Sequence, residues 1–266
     1  TTYGTGQLIE HALNKGFRKF IIGIGGSATN DAGIGMLHAL GVKFLNKERE
    51  LLPGVVSSFN QLAEIDCSEM HPLVKDSQFT IACDVANPLI GPNGATAVFG
   101  PQKGVNPDQI ELFDHYLKSF ADHVLNLKGI ALHDLPGAGA AGGIGGAFKA
   151  FFPSVFKQGI DVVMDAVQFD NHLKTAQLVI TGEGMSDAQT LSGKAPMGIA
   201  LASKKYNVPT ILVSGFVEPT SYTALNSLFA QVISVVGEGI TSEQSRSQAS
   251  EYLQKRVKMA MQSKFI

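Results

Sequence analysis

Apolar positions along this chain follow two periods. Unbroken runs such as Phe-Arg-Lys-Phe-Ile-Ile-Gly-Ile (17–24) read as buried strands. Stretches with apolar residues three and four apart read as helices. Leu8, Ile9, Ala12 and Leu13 share one such face, and Gly16 stands as a stop. After strand 17–24 the pattern predicts a helix over 28–40 stopped by Gly41, a short strand over 42–45, a mixed segment over 51–75 and a strand over 78–85. Pro107 opens an amphipathic helix that reaches Leu127, and a glycine-dense stretch over 136–146 leads into an apolar helix. The remainder alternates: strand 177–181, helix 195–206, strand 209–214, helix 221–228, strand 230–236, helix 242–262. That order predicts an α/β fold with a parallel sheet between helices, and a soft domain boundary near Leu173.

Composition narrows the partners. A chain of 266 residues builds one large domain or two ordinary ones, with a core that needs no staples. The net charge is −2 with no basic stripe, so there is no electrostatic footprint for nucleic acid. No apolar run approaches the ~20 residues of a membrane helix. Two cysteines, Cys67 and Cys83, make no disulfide framework and predict a cytoplasmic protein; Cys83, in the run Phe-Thr-Ile-Ala-Cys, is expected as a small buried thiol. The seven histidines show no metal-ligand spacing, which predicts no structural zinc. The 29 glycines cluster, and the clusters mark five candidate loops.

The first is Gly23-x-Gly25-Gly26-Ser27-Ala28-Thr29-Asn30-Asp31. A strand, a glycine turn and a helix start would together bind an anion through backbone N–H groups and the helix dipole. Ser27 also reads as a plain N-cap, and Asp31 as a first-turn acid. The second is Asp84-Val85-x-Asn87-Pro88, at the C-terminal end of a strand, where α/β proteins bind ligands and where Asx residues also simply form turns. The third is Phe99-Gly100-Pro101-Gln102-Lys103-Gly104, whose lysine either reaches a phosphate or is a solvated turn residue. The fourth, 136–146, holds six glycines, among them Gly139, Gly142 and Gly143. Such entropic cost is explained by close backbone approach to a ligand, or by close packing.

The fifth loop, 181–196, carries Glu183, Asp187 and the pair Gly193-Lys194, with Pro196 in the first turn of the next helix. It narrowly misses the P-loop pattern, with Ala188 in place of the first glycine and Ala195 where Ser or Thr would bind magnesium. The first loop also fits Gly-x-Gly-x-x-Ala, a dinucleotide fingerprint, with Glu48 about twenty residues on. An NAD-dependent dehydrogenase is therefore an alternative reading. A fragment that binds a ligand without chemistry is another.

In this order, the five loops resemble the type I glycerate kinase family across nearly the whole chain. The resemblance implies ATP- and Mg²⁺-dependent phosphoryl transfer to D-glycerate, giving 2-phosphoglycerate rather than 3-phosphoglycerate. It also implies two α/β domains with the active site in the cleft between them. One is a flavodoxin-like three-layer domain built from both ends of the chain, and the other is inserted. On that scheme 1–173 is mostly the inserted domain and 174–266 the C-terminal half of the flavodoxin-like domain. The family's N-terminal strand and Asp-Ser-Phe-Lys loop are not in this sequence, which opens Thr-Thr-Tyr-Gly; the chain by itself is accordingly expected to be inactive. Residue 185 is Met where a polar or basic residue is expected.

Phosphoryl transfer needs positioning, cations on the phosphates and a carboxylate that orients the attacking hydroxyl. The expected base is Asp187, with Asp84 and Asp31 as further candidates. Glu183 is the expected magnesium ligand, and Lys194 and Lys103 the phosphate-binding cations. Gly25, Gly26, Ser27, Thr29, Asn30 and Asp31 are expected to hold glycerate or phosphate oxygens, with Gly139, Gly142, Gly143, Gly184, Thr190 and Gly193 lining the site. The four arginines, Arg18, Arg49, Arg246 and Arg256, lie outside all five loops, so no bidentate arginine clamp on the substrate carboxylate is expected.

Overall fold

The computed structural model describes residues 1–237 and 239–264. The chain divides into two compact units, 1–157 and 158–266, so the division falls before the boundary expected near Leu173. In the first unit, α1 (Tyr3–Asn14), β1 (Lys19–Gly23), α2 (Ile34–Ala39), β2 (Lys43–Leu45), β3 (Glu64–Asp66), β4 (Gln78–Ala82), α3 (Ala95–Phe99), α4 (Ile110–Lys128), α5 (Ile144–Phe151) and β5 (Ser154–Lys157) follow in order. β1, β4 and β5 form a parallel sheet with β4 in the middle, and β2 and β3 pair antiparallel.

The core sits where the periodicities placed it. Phe79 and Ile81 of β4 are buried, as are Leu117, Phe120, Ala121 and Val124 along one face of α4. Phe20 stacks on Phe79, and Phe120 meets Phe59. α4 begins behind an Asn106–Gln109 capping box with Pro107, and Gly129 ends it in the left-handed conformation at φ 70°. α1 lies close on α2 because Gly6 has no Cβ; one there would stand 2.5 Å from the Met36 carbonyl oxygen.

The second unit contains α6 (Gly159–Ala166), α7 (Phe169–Leu173), β6 (Val179–Ser186), α8 (Ala195–Lys205), β7 (Thr210–Val217), α9 (Tyr222–Leu228), β8 (Gln231–Ser234), α10 (Ser242–Ser247) and α11 (Ala249–Lys264). β6, β7 and β8 form the expected parallel sheet in that order. The central strand β7 is buried on both sides. Leu212 faces a cluster with Ala200, Leu225 and Phe229, while Ile211 and Val213 pack with Ile233 against Val257 of α11.

Three elements differ from the expectations. The helix expected from residue 28 starts only at Ile34, because residues 24–33 form an irregular turn ending at Gly33 with φ 78°. β6 runs on through Gly182–Ser186, which read as loop. Its glycines mark close approach between strands: a Cβ at Gly182 would stand 2.5 Å from the Val213 carbonyl oxygen, and one at Gly215 2.6 Å from that of Gly184. The single helix expected over 242–262 is two, broken at Gln248.

Candidate functional site

In the first unit the first, second, third and fourth glycine-rich loops come together. After β1, Ile24 N still donates to the Ala82 carbonyl, and the chain then turns through Gly25 and Gly26. A Cβ at either would meet nothing, and Gly26 sits at φ 65°. Packing therefore does not explain Gly25, and its backbone is open to a ligand. Lys103 reaches across from the third loop. Its Nζ donates to Ser27 Oγ at 2.8 Å and to the Thr29 carbonyl at 2.8 Å. It is thus no solvated turn residue. Burial holds its pKa below the ordinary lysine value, an effect partly opposed by the charge of Asp31.

The positive character expected from a helix start at Ser27 comes instead from this ammonium, since no helix begins there. Asp31 faces inward. It is 4% exposed, and its carboxylate accepts from Thr2 N (2.7 Å), Thr2 Oγ1 (3.0 Å) and Gly33 N (3.1 Å). It ties the start of α1 to the turn before α2. Asn30 Nδ2 donates to Thr96 Oγ1 at 3.0 Å.

Gly139, Gly142, Gly143 and Gly145 of the fourth loop are accounted for by approach to protein backbone. A Cβ at Gly142 would stand 1.9 Å from the Thr29 carbonyl oxygen, one at Gly139 1.9 Å from that of Pro88, and one at Gly143 2.7 Å from Ala32 Cα. The loop is a bed on which the first and second loops lie. Gly23, Gly25, Ser27 and Thr29, with Thr2 and Ala141, border a cavity of about 220 Å³.

Asp84 is exposed just beyond β4, and Asn87 Nδ2 donates to the Asn93 carbonyl at 2.9 Å. Cys83 is half-buried rather than fully buried. This second loop is held from α4 by residues that sequence reasoning missed. The Asp114 carboxylate accepts from Gly91 N at 3.1 Å, and burial raises its pKa against that hydrogen bond. His133 accepts from Leu89 N through its carbonyl, while its ring Nε2 pairs with Asp122 Oδ1 at 2.8 Å. The hydrogen bond from Lys118 is the main reason the Asp122 carboxyl lies below its ordinary value. Asp114, Lys118 and Asp122 recur every four residues, a one-faced charged stripe already visible in the sequence.

In the second unit, Glu183 Oε1 accepts from Ser186 Oγ at 2.8 Å and from Thr190 Oγ1 at 2.7 Å, and Ser186 Oγ also hydrogen-bonds Ser214 Oγ. Asp187 follows directly on β6. It caps the 3₁₀ turn Ala188–Ser192 by accepting from Gln189 N at 2.8 Å, and its own N–H donates to Thr190 Oγ1. Lys194 Nζ lies 3.5 Å from Asp187 Oδ1, and Gly193, at φ 100°, turns the chain into α8. Two carboxylates and a lysine thus gather at the C-terminal end of a parallel strand. Met185 is half exposed, and Gly184 borders a largely apolar cavity of about 410 Å³ with Leu253 and Val257 of α11.

The dinucleotide reading does not survive this geometry. Glu48 lies in an exposed turn after β2, and β2 pairs antiparallel with β3 rather than extending the parallel sheet.

Parallel sheets whose strand ends carry glycines, lysines and carboxylates define an α/β protein with the strand-end loops at which this fold class binds ligands. A sequence profile described as the Glycerate kinase family matches residues 1–264. A glycerate kinase of Bacillus subtilis is 43% identical over 256 residues, covering 96% of this chain and 67% of that protein. The glycerate 2-kinase of Escherichia coli is 45% identical over 215 residues, 81% of this chain and 56% of the relative. A crystal structure from Salmonella typhimurium LT2, described as a glycerate kinase 2, superposes with a TM-score of 0.79 at 37% identity, covering all of this chain and 70% of that one. The chain belongs to the glycerate kinase family.

Proposed function

We propose that this protein moves the γ-phosphoryl group of ATP onto the 2-hydroxyl of D-glycerate, giving 2-phosphoglycerate and ADP. The observation that carries this reading beyond family membership is the Asp187–Lys194–Glu183 group at the end of β6. Asp187 takes the proton of the attacking hydroxyl as its oxygen bonds to phosphorus and the bond to the β-phosphate oxygen breaks. Lys194 sets a positive charge against the phosphates.

A magnesium ion fits the donor set. Mg²⁺ binds through one or two carboxylates plus phosphates and water, and the Ser186 and Thr190 hydroxyls both donate to the same oxygen of Glu183, Oε1. Glu183 would hold it, and the ion would neutralise charge on the phosphates. We further propose that residues up to about 173 belong to an inserted domain and the rest to a flavodoxin-like one, and that the protein works in the cytoplasm. Incubation of the chain joined to the family's N-terminal strand and Asp-Ser-Phe-Lys loop with ATP, Mg²⁺ and D-glycerate, followed by phosphorus NMR, tests the reading. It should show 2-phosphoglycerate. ADP formation that does not depend on glycerate would refute it, and 3-phosphoglycerate would reassign the hydroxyl.

Gly25 provides a second test. Gly25→Ala places a methyl group in open space, so stability should change by less than about 1 kcal/mol. The methyl group crowds the amides a ligand would use, and KM for at least one substrate should rise about tenfold. Unchanged KM for both substrates would leave Gly25 a bare turn residue.

A further inference from the structure

We infer that Thr190 is a positioning residue for phosphoryl transfer: its buried hydroxyl ties the backbone of Asp187 to the carboxylate of Glu183, so that base and metal ligand are held as one unit. This deepens the kinase reading and rests on it. The assignment begins with a hydroxyl that makes one bond more than its turn requires. Asp187 and Thr190 form a reciprocal capping box around the turn Ala188–Ser192, in which Thr190 Oγ1 accepts from Asp187 N at 3.1 Å. In the usual box the returning side chain is Glu or Gln, and a carboxylate in that place could only accept. A hydroxyl still has its hydrogen. Thr190 donates it to Glu183 Oε1 at 2.7 Å, seven residues back on β6.

Burial decides how this residue acts. Thr190 is 0% exposed, so it works through the groups it touches and not on a ligand. The second hydroxyl on Glu183 Oε1, that of Ser186, is fully buried too, and its one hydrogen is already used there. The bond between Ser186 and Ser214 is therefore donated by Ser214, from the central strand β7. Two buried donors on a single oxygen fix the rotation of the Glu183 carboxylate. Thr190 is the donor whose hydroxyl also holds Asp187. Partners that orient a ligating carboxylate from behind matter to the metal: losing one typically costs about 10- to 100-fold in metal affinity or activity.

The test uses the chain joined to the family's N-terminal strand and loop. Thr190→Val keeps the shape and removes the hydroxyl; Thr190→Ser keeps the hydroxyl and removes the methyl group. Kinetics with ATP and D-glycerate, binding of Mn²⁺ (standing in for magnesium) in the presence of ADP by electron paramagnetic resonance, and thermal unfolding are measured for each. Thr190→Val should lower kcat and weaken Mn²⁺ binding, each about 10- to 100-fold, while KM for D-glycerate stays within about threefold. Thr190→Ser should remain within about threefold of the parent in both. A valine variant with the parent's kcat and Mn²⁺ affinity overturns the assignment. A fall in kcat with Mn²⁺ binding unchanged overturns the coupling, since Thr190 would then act on Asp187 alone. A serine variant as impaired as valine also overturns it, because the methyl group and not the hydroxyl would be at work. If the valine variant loses cooperative unfolding, Thr190→Ala replaces it, and loss of folding there too reduces Thr190 to a cap and ends the assignment. Parent protein whose ADP formation does not depend on D-glycerate refutes the kinase reading itself; an active parent with an unaffected valine variant sinks this inference alone.

Discussion

Asp187→Asn should lower kcat by about 10²- to 10⁴-fold while leaving the fold intact, because it removes the base and little else. The amide oxygen of asparagine can still accept from Gln189 N, and asparagine caps a helical turn about as well as aspartate. The Lys194 contact, long at 3.5 Å and partly exposed, contributes little to stability. The substitution therefore separates chemistry from folding, with an expected stability change under about 1 kcal/mol. Steady-state kinetics with ATP and D-glycerate on the chain joined to the family's N-terminal strand and loop, beside thermal unfolding, make the measurement. A kcat near that of the parent protein would take Asp187 out of the mechanism. The same substitution at Asp84 then becomes decisive, since Asp84 is the other candidate at a strand end.

Gly142→Ala should cost the first unit about 2–5 kcal/mol, the sum of an unfavourable backbone and an overlap that cannot relax cheaply. Gly142 sits at φ 70°, and its Cβ would stand 1.9 Å from the Thr29 carbonyl oxygen and 2.7 Å from Asn30 Cα. Both obstacles are backbone, so no side chain can swing aside. The displaced carbonyl is also the one that accepts from Lys103, so substrate binding should fail along with stability. Hydrogen exchange at the amides of β1 and β4 would report the loss locally, while β7 should keep its protection. Full protection in β1 and β4 would mean that the first loop shifts freely, and would remove the packing account of this glycine. Gly25→Ala is the contrasting case, predicted to affect binding and not stability.

Local pattern made much of this architecture legible in advance. β4 starts where the apolar run placed it, and α4 announces itself through Pro107 and a 3.6-residue apolar stripe. The alternation of β6, α8, β7, α9 and β8 was equally visible, because buried parallel strands need continuous apolar runs and their crossovers need amphipathic helices. β5 and the extension of β6 were not. Four residues after Pro153 become a strand because β4 offers them an edge, and Gly182–Ser186 stay extended because β7 pairs with them. Strand identity there belongs to the partner, not to the segment.

The candidate chemistry divides along the same line. The sequence determined which residues are available: a glycine turn after a strand, lysines next to glycines, two carboxylates in one loop, and no arginine in any of the five loops. It left the glycines of the fourth loop open between ligand and packing, and Lys103 open between phosphate and solvent. Those alternatives turn on contacts between residues more than fifty positions apart, which no local period encodes. Only the tertiary structure laid Gly142 against Thr29, folded Asp31 inward onto Thr2, and carried Lys103 to Ser27, because hydrogen bonding and steric exclusion act on distance in space rather than along the chain.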